Sequence, residues 1–254
     1  MGGAMAEGFV KSGAVSATDV CVTARHTASL ERFEKLGMKV TTCNEDAVKG
    51  ADIVVIAVKP WLAESVISEI KPHLDYGRQT IISVMAGVSS EKLMSLLERN
   101  DGYQPHIFIA IPNIAIARLC SMTFLVPVTA FKEDVEKIKA LFDAVGDTIV
   151  TDEHLLGAGC TLASCGIAYA LRYIRAATEG GVELGFKAKD AQRIVAQTVM
   201  GAASLLQVEG AHAEAEIDKV TTPGGLTIRG LNAMEHAGFT SAVIKGLKAG
   251  VDKQ

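Results

Sequence analysis

With 254 residues, 49% hydrophobic but only 5% aromatic, the chain can fill one large core or two smaller ones with Ala, Val, Ile and Leu. A formal net charge of −4 leaves no basic field, which argues against a nucleic-acid partner. The longest apolar runs, such as Ile53–Val58, have strand length rather than membrane-spanning length, and the amino terminus shows no export signal, so a cytoplasmic chain without a membrane partner is expected. Five scattered cysteines (Cys21, Cys43, Cys120, Cys160, Cys165) lack metal-ligand spacing, so no metal site is expected and small thiols in a reducing compartment are the reading.

Met1–Gly13 reads as a helix starting at the first residue, with Gly2, Ala4, Ala6 and Gly8 on a close-packing face. Asp19–Thr23 reads as a short strand, Ala28–Leu36 as a helix ended by Gly37, Lys39–Thr42 as a strand and Glu45–Lys49 as a short helix. Asp52–Val58 is the strongest strand signal, continuous and β-branched, hence expected to be buried on both faces. A helix over Leu62–Ile70, a strand over Gln79–Val84 and a Ser-capped helix over Ser89–Glu98 follow. His106–Ile111 and Thr123–Pro127 read as strands, the second as the last in the chain, and Glu133–Val145 as a helix. Strands and helices alternating at this pitch predict right-handed βαβ units and a mainly parallel, doubly wound, Rossmann-like sheet, with ligands at the carboxyl ends of its strands.

From Asp152 the strand signal vanishes, which places a domain boundary between 1–151 and 152–254. Leu155–Leu184 reads as one long helix, followed by helices over Ala188–Val208, Ala213–Val220, Leu226–Glu235 and Phe239–Ala249. The long helix has too little polar surface to stand alone (Ala158, Leu162, Ile167, Ala168, Leu171 and Ile174 ring it), so a partner subunit is expected to cover it, giving a homodimer or higher homo-oligomer through the C-terminal helices.

The stretch Asp218–Leu231 interrupts this helical half with a Pro–Gly–Gly turn that feeds a helix. Such a turn leaves backbone N–H groups unpaired at the positive end of the helix dipole, a nest suited to a small carboxylate. Thr222 and Thr227 place hydroxyls beside it. An ordinary helix–loop–helix connection uses the same residues.

A dinucleotide needs a phosphate cradle of the form strand, Gly-x-Gly-x-x-Gly, helix. Only Met1-Gly2-Gly3-Ala4-Met5 resembles the tail of that fingerprint, so the first strand and the two glycines nearest the pyrophosphate are expected to lie upstream of Met1. Arg25 fits a 2′-phosphate contact or a solvated turn; Asn44 fits an adenosine contact or a helix cap. Ala57, Val58, Lys59 and Pro60 after one strand, and Ala86 and Gly87 after the next, are placed to flank the pyrophosphate and the nicotinamide ribose.

Taken together, Met-Gly-Gly-Ala-Met, Ala51–Pro60, Ala86-Gly87-Val88, Pro112-Asn113, Gly180–Gly185, Ala196–Val199 with Gly201-Ala202, and Val220–Leu231 resemble pyrroline-5-carboxylate reductase over nearly the whole chain. The resemblance implies reduction of 1-pyrroline-5-carboxylate to L-proline by NADPH, with NADH as a possible donor. It implies that Thr222, Gly225 and Leu226 serve the substrate carboxylate and Thr227 the ring nitrogen, Thr227 being the catalytic candidate. The chain departs from the family pattern at Ile114-Ala115-Ile116, at Ala163–Tyr169 and in the missing first strand. An iminium already carries its proton, so this chemistry needs positioning more than a general base. A 3-hydroxyacid dehydrogenase is the nearest rival, but its base is a lysine on the long helix and Leu155–Ala170 contains none. A non-catalytic helical dimerisation protein with an incomplete dinucleotide domain is the other alternative. On the upstream-strand expectation, restoring roughly ten residues, a strand and a turn, recovers cofactor binding.

Overall fold

The computed structural model describes residues 1–251. The chain divides into two compact units, Met1–Ser164 and Cys165–Gln254. The first contains α1 (Gly2–Lys11), β1 (Cys21–Thr23), α2 (Glu31–Glu34), β2 (Lys39–Thr41), α3 (Asn44–Val48), β3 (Ile53–Ile56), α4 (Ala63–Ile70), β4 (Thr80–Ser83), α5 (Ser90–Leu97), β5 (His106–Ile111), β6 (Ser121–Pro127), α6 (Lys132–Asp143), β7 (Gly146–Val150) and α7 (Leu156–Gly159).

Strands β3 to β7 form one sheet in sequence order, parallel except for the antiparallel β5–β6 pair. Alternation along the strands sends side chains to two cores. Val54, Ile56, Ile81, Ile107 and Ile109 meet α4 and α5 on one face. Ile82, Phe108 and Ala110 meet Met5 and Phe9 of α1 and Ile138 and Phe142 of α6 on the other. Helices on both faces make this a doubly wound layer.

Three expectations change. β7 was not foreseen because Gly146 and Asp147 dilute its pattern. It is an edge strand, paired only with β6, and Ile149 and Val150 are exposed. Gly146 is required there because a Cβ would strike the Ser121 carbonyl oxygen. β3 is not buried on both faces: Val55 is 36% exposed between Val54 and Ile56, at 8% and 3%. The reason is the sheet itself. β1 and β2 pair with each other in a separate two-stranded sheet, and no described strand fills the position beside β3.

The predicted long helix is also subdivided. α7 passes into a π turn over Cys160–Cys165, and α8 (Gly166–Glu183) opens the second unit. Asn113 Nδ2 donates to the Ala163 carbonyl inside that turn at 3.3 Å, a side-chain bond of the kind that accompanies widened helical turns.

The second unit continues with α9 (Ala188–Leu205), α10 (Ala213–Lys219), α11 (Leu226–His236) and α12 (Phe239–Ala249). α8 and α9 close on each other at Gly181, where a Cβ would lie 3.0 Å from that of Ala191. Among the described residues of this unit only Thr178 and Ala191 are buried. Leu171, Val182, Ile194, Met200, Leu205 and Ile244 are exposed, so the unit alone lacks a core. The run Glu153–Glu183 is long and apolar enough to cross a bilayer by length and composition, with 11% of its most apolar window buried.

Candidate active site

The sharpest local geometry is at 222–227. Gly225 N–H donates to the Thr222 carbonyl at 2.9 Å, closing a turn with Pro223 at its second position and Gly224 (φ +68°) at its third, the signature of type II. Gly225 is the N-cap of α11 and offers no side-chain cap, and the first turn has no acidic residue. The amides of Leu226, Thr227 and Ile228 therefore have no carbonyl one turn back to bond. A Cβ on Gly225 would lie 2.5 Å from Thr222 Oγ1, so the Thr222 hydroxyl occupies the space that only a glycine leaves free. Leu226 is 85% exposed. The arrangement is an open turn with unbonded amides and with hydroxyls at Thr222 and Thr227, a geometry able to accept an anion.

In the first unit the predicted cofactor residues gather at the carboxyl ends of the strands. A Cβ on Gly2 would lie 2.8 Å from the Ala57 Cβ, so α1 begins against the residue that leaves β3. Ala57 leads into Val58 and the exposed Lys59, whose ammonium lies 5.9 Å from the Trp61 ring, and Pro60 opens a short 3₁₀ turn. After β4, Val88 N–H donates to the Met85 carbonyl with Gly87 at φ +81°, so Ala86-Gly87 forms a second exposed Gly-requiring turn. Ile56 of β3 pairs with Ser83 of β4, which places these exits on one edge. Arg25 is exposed on the turn after β1 and forms no ion pair among the described residues.

Asn44 is not a helix cap: Cys43 is the N-cap of α3. Asn44 Oδ1 instead accepts from Thr23 Oγ1 (2.9 Å), and its Nδ2 donates to Glu69 Oε2 (3.1 Å). One position escaped notice in the sequence. Arg32 on α2 pairs with Glu7 (3.3 Å), and its guanidinium occupies the place a Cβ on Gly3 would take, beside the free amides that open α1. Nothing in the local pattern marks it, since an exposed Arg on a short helix is ordinary.

A recess of about 600 Å³ bounded by Ser90, Met94, Val126, Val150, Asp152 and Glu153 contains none of these residues. There the Glu153 carboxylate accepts from Ser90 N–H (2.9 Å) and from the Ser90 hydroxyl, fastening the start of α5. No cluster of metal-ligating side chains occurs among the described residues.

Two family models match the chain. One is described as pyrroline-5-carboxylate reductase dimerisation and covers residues 153–254; the other, NADP oxidoreductase, coenzyme F420-dependent, covers residues 1–87. Pyrroline-5-carboxylate reductase 2 of Dictyostelium discoideum is 36% identical, with all of this chain and 88% of the relative aligned. The chain belongs to the pyrroline-5-carboxylate reductase family.

Pyrroline-5-carboxylate reductase 1 of the same organism is 41% identical over the whole chain, which spans about half of it, 47%. The solved pyrroline-5-carboxylate reductase of Coxiella burnetii superposes with a TM-score of 0.87 at 30% identity, covering 98% of this chain and 93% of that one. The departure from the family pattern at 114–116 has a physical account. Asn113 Oδ1 caps the following 3₁₀ turn through Ala115 N–H (3.0 Å), and Ile116 is fully buried against α1. A Cβ on Gly8 would lie 2.7 Å from the Ile116 carbonyl oxygen. Of the three, Ile116 is core for α1, while Ile114 is 66% exposed.

Proposed function

We infer that the chain reduces 1-pyrroline-5-carboxylate to L-proline with a hydride from NADPH, NADH being the alternative donor. The observation that carries the reading is the uncapped start of α11 behind the Thr222–Gly225 turn. Its amides at Leu226 and Thr227 bind the substrate carboxylate without a counter-ion, and the Thr222 hydroxyl borders the same nest. The Thr227 hydroxyl hydrogen-bonds the ring nitrogen. Because the iminium is already protonated and electrophilic, these groups orient the imine carbon, and no side chain has to take up a proton.

The first unit fits a dinucleotide. At Gly2 only a hydrogen fits against Ala57, the opening amides of α1 face no acidic side chain in its first turn, and Arg25, in no ion pair among the described residues, suits a 2′-phosphate. Asn44 reaches the adenosine side, while Ala57–Pro60 and Ala86-Gly87 flank the pyrophosphate and ribose with backbone. NADPH when bound supplies the hydride. Residues 1–151 then serve the cofactor and 152–254 serve substrate and dimerisation, the exposed apolar faces of α8 and α9 being covered by a second copy. Cys21, Cys43, Cys120 and Cys165 are free thiols among the described residues, which suits a reducing cytoplasm.

NADPH oxidation followed at 340 nm with 1-pyrroline-5-carboxylate tests the reading. Turnover that falls at least tenfold in Thr227→Ala while the NADPH KM stays constant is expected. No oxidation, in a chain that still dimerises, gives the non-catalytic dimerisation reading instead.

A further inference from the structure

We propose that Trp61 is a further cofactor-binding residue, its indole being the platform on which the adenine ring of the dinucleotide stacks. The inference rests on the reading of the first unit as the cofactor unit, and it adds an aromatic side chain to a site otherwise built from backbone and polar groups. Trp61 is the single tryptophan of the chain, and it is 77% exposed. An indole left in water forgoes the large apolar burial that its area makes available, which a planar ligand restores.

The ring is held in place. Pro60 fixes the backbone at the start of the 3₁₀ turn Pro60–Leu62, and Leu62 N–H donates to the Lys59 carbonyl at 2.9 Å. The Lys59 ammonium stands over the indole, 5.9 Å from its centroid. The cation takes one face of the ring and leaves the other open. Both contacts come from residues that leave β3, so the ring sits at the carboxyl end of that strand, where a doubly wound sheet binds its ligand. The turn runs directly into α4, and α4 packs on α3. Val48 of α3 shares a core with Ala63 and Ile67 of α4, and Asn44 at the start of α3 donates to Glu69 of α4. Trp61 therefore stands on the Asn44 side of the site, the side assigned to the adenosine.

A base fits this surface better than another protein does. The exposed neighbours of Trp61 in the chain, Lys59, Glu64 and Ser65, are polar, while Leu62 and Ala63 turn inward. The indole is thus an isolated apolar plane, without the contiguous apolar patch that protein interfaces use. One open ring face matches one planar base. Stacking is indifferent to the ribose 2′-position, so the contact serves NADPH and NADH alike, whereas Arg25 separates them.

Intrinsic fluorescence and titration calorimetry test this without turnover, since all indole emission comes from Trp61. The ligands are ADP-ribose, which carries the adenine but no nicotinamide, nicotinamide mononucleotide, which carries no adenine, and NADH beside NADPH. ADP-ribose is expected to quench the emission saturably, and nicotinamide mononucleotide to leave it unchanged. In Trp61→Ala the Kd values for ADP-ribose, NADH and NADPH are each expected to rise about fivefold or more, and in Trp61→Phe, which keeps a ring, to stay within about twofold. Both variants are expected to keep the melting temperature, because the side chain is exposed. Heat of ADP-ribose binding without a change in emission, or an unaltered Kd in Trp61→Ala, overturns the inference and leaves the cofactor reading standing. Quenching by nicotinamide mononucleotide overturns it as well. So does an unliganded emission that shifts with protein concentration, which would mean that a second copy covers the ring. Absence of heat with every ligand overturns the cofactor reading and this inference together.

Discussion

Gly225 carries the most testable chemistry of any single position. A methyl group there would lie 2.5 Å from Thr222 Oγ1 and 3.0 Å from the Thr222 carbonyl, so Gly225→Ala must displace the hydroxyl or open the turn. We expect its KM for 1-pyrroline-5-carboxylate to rise about tenfold or more, equivalent to about 1.4 kcal/mol, with the NADPH KM unchanged. Steady-state kinetics with each substrate varied in turn checks this. Arg25→Ala is expected to weaken NADPH but not NADH, because only the former carries the 2′-phosphate; the ratio of the two KM values is the measurement. The Pro–Gly–Gly turn was legible in sequence because Gly and Pro dictate backbone angles locally. Asn44 was misread as a possible cap, because its partners Thr23 and Glu69 are distant in sequence.

Among the elements, α5 and α1 are fixed by contacts that single substitutions can probe. The buried Tyr76 hydroxyl donates to the Leu97 carbonyl at the end of α5 (2.5 Å), with the Arg99 guanidinium 3.9 Å from the ring centroid. Burial pushes the Tyr76 phenol above its ordinary value near 10.0, an effect that Arg99 opposes. A folded pKa above the unfolded one means stability that is complete below pH 10 and is lost as pH rises through the folded value. Tyr76→Phe is expected to cost about 1 kcal/mol at pH 8 and to flatten the alkaline decline, read from urea melts at pH 8 and above 10. Gly8→Ala drives a methyl into the Ile116 carbonyl and is expected to cost about 1–3 kcal/mol by the same measurement. Strands with strong β-branched runs were legible. β7 was not, since an edge strand with one pairing partner tolerates Gly and Asp and so leaves a weak pattern.

For the molecule as a whole, the all-helical unit is the open question of stability. With only Thr178 and Ala191 buried among its described residues, it must gain apolar burial from another surface. The double variant Leu171→Asp with Met200→Asp puts charge on two exposed apolar positions and is expected to shift the sedimentation coefficient from dimer to monomer. The family model matched over 153–254 is described as a dimerisation model.

By itself the sequence determined the alternation of strands and helices, the switch to helices after residue 151, the Pro–Gly–Gly turn and the family, because periodicity, Gly and Pro placement and motif act within a few residues. The tertiary structure alone decided that Arg32 stands over the start of α1. It also decided that Asn113 enters a π turn fifty residues away. Each of these depends on which distant segment lies alongside, and that choice is made by hydrogen-bond pairing and close packing across the fold.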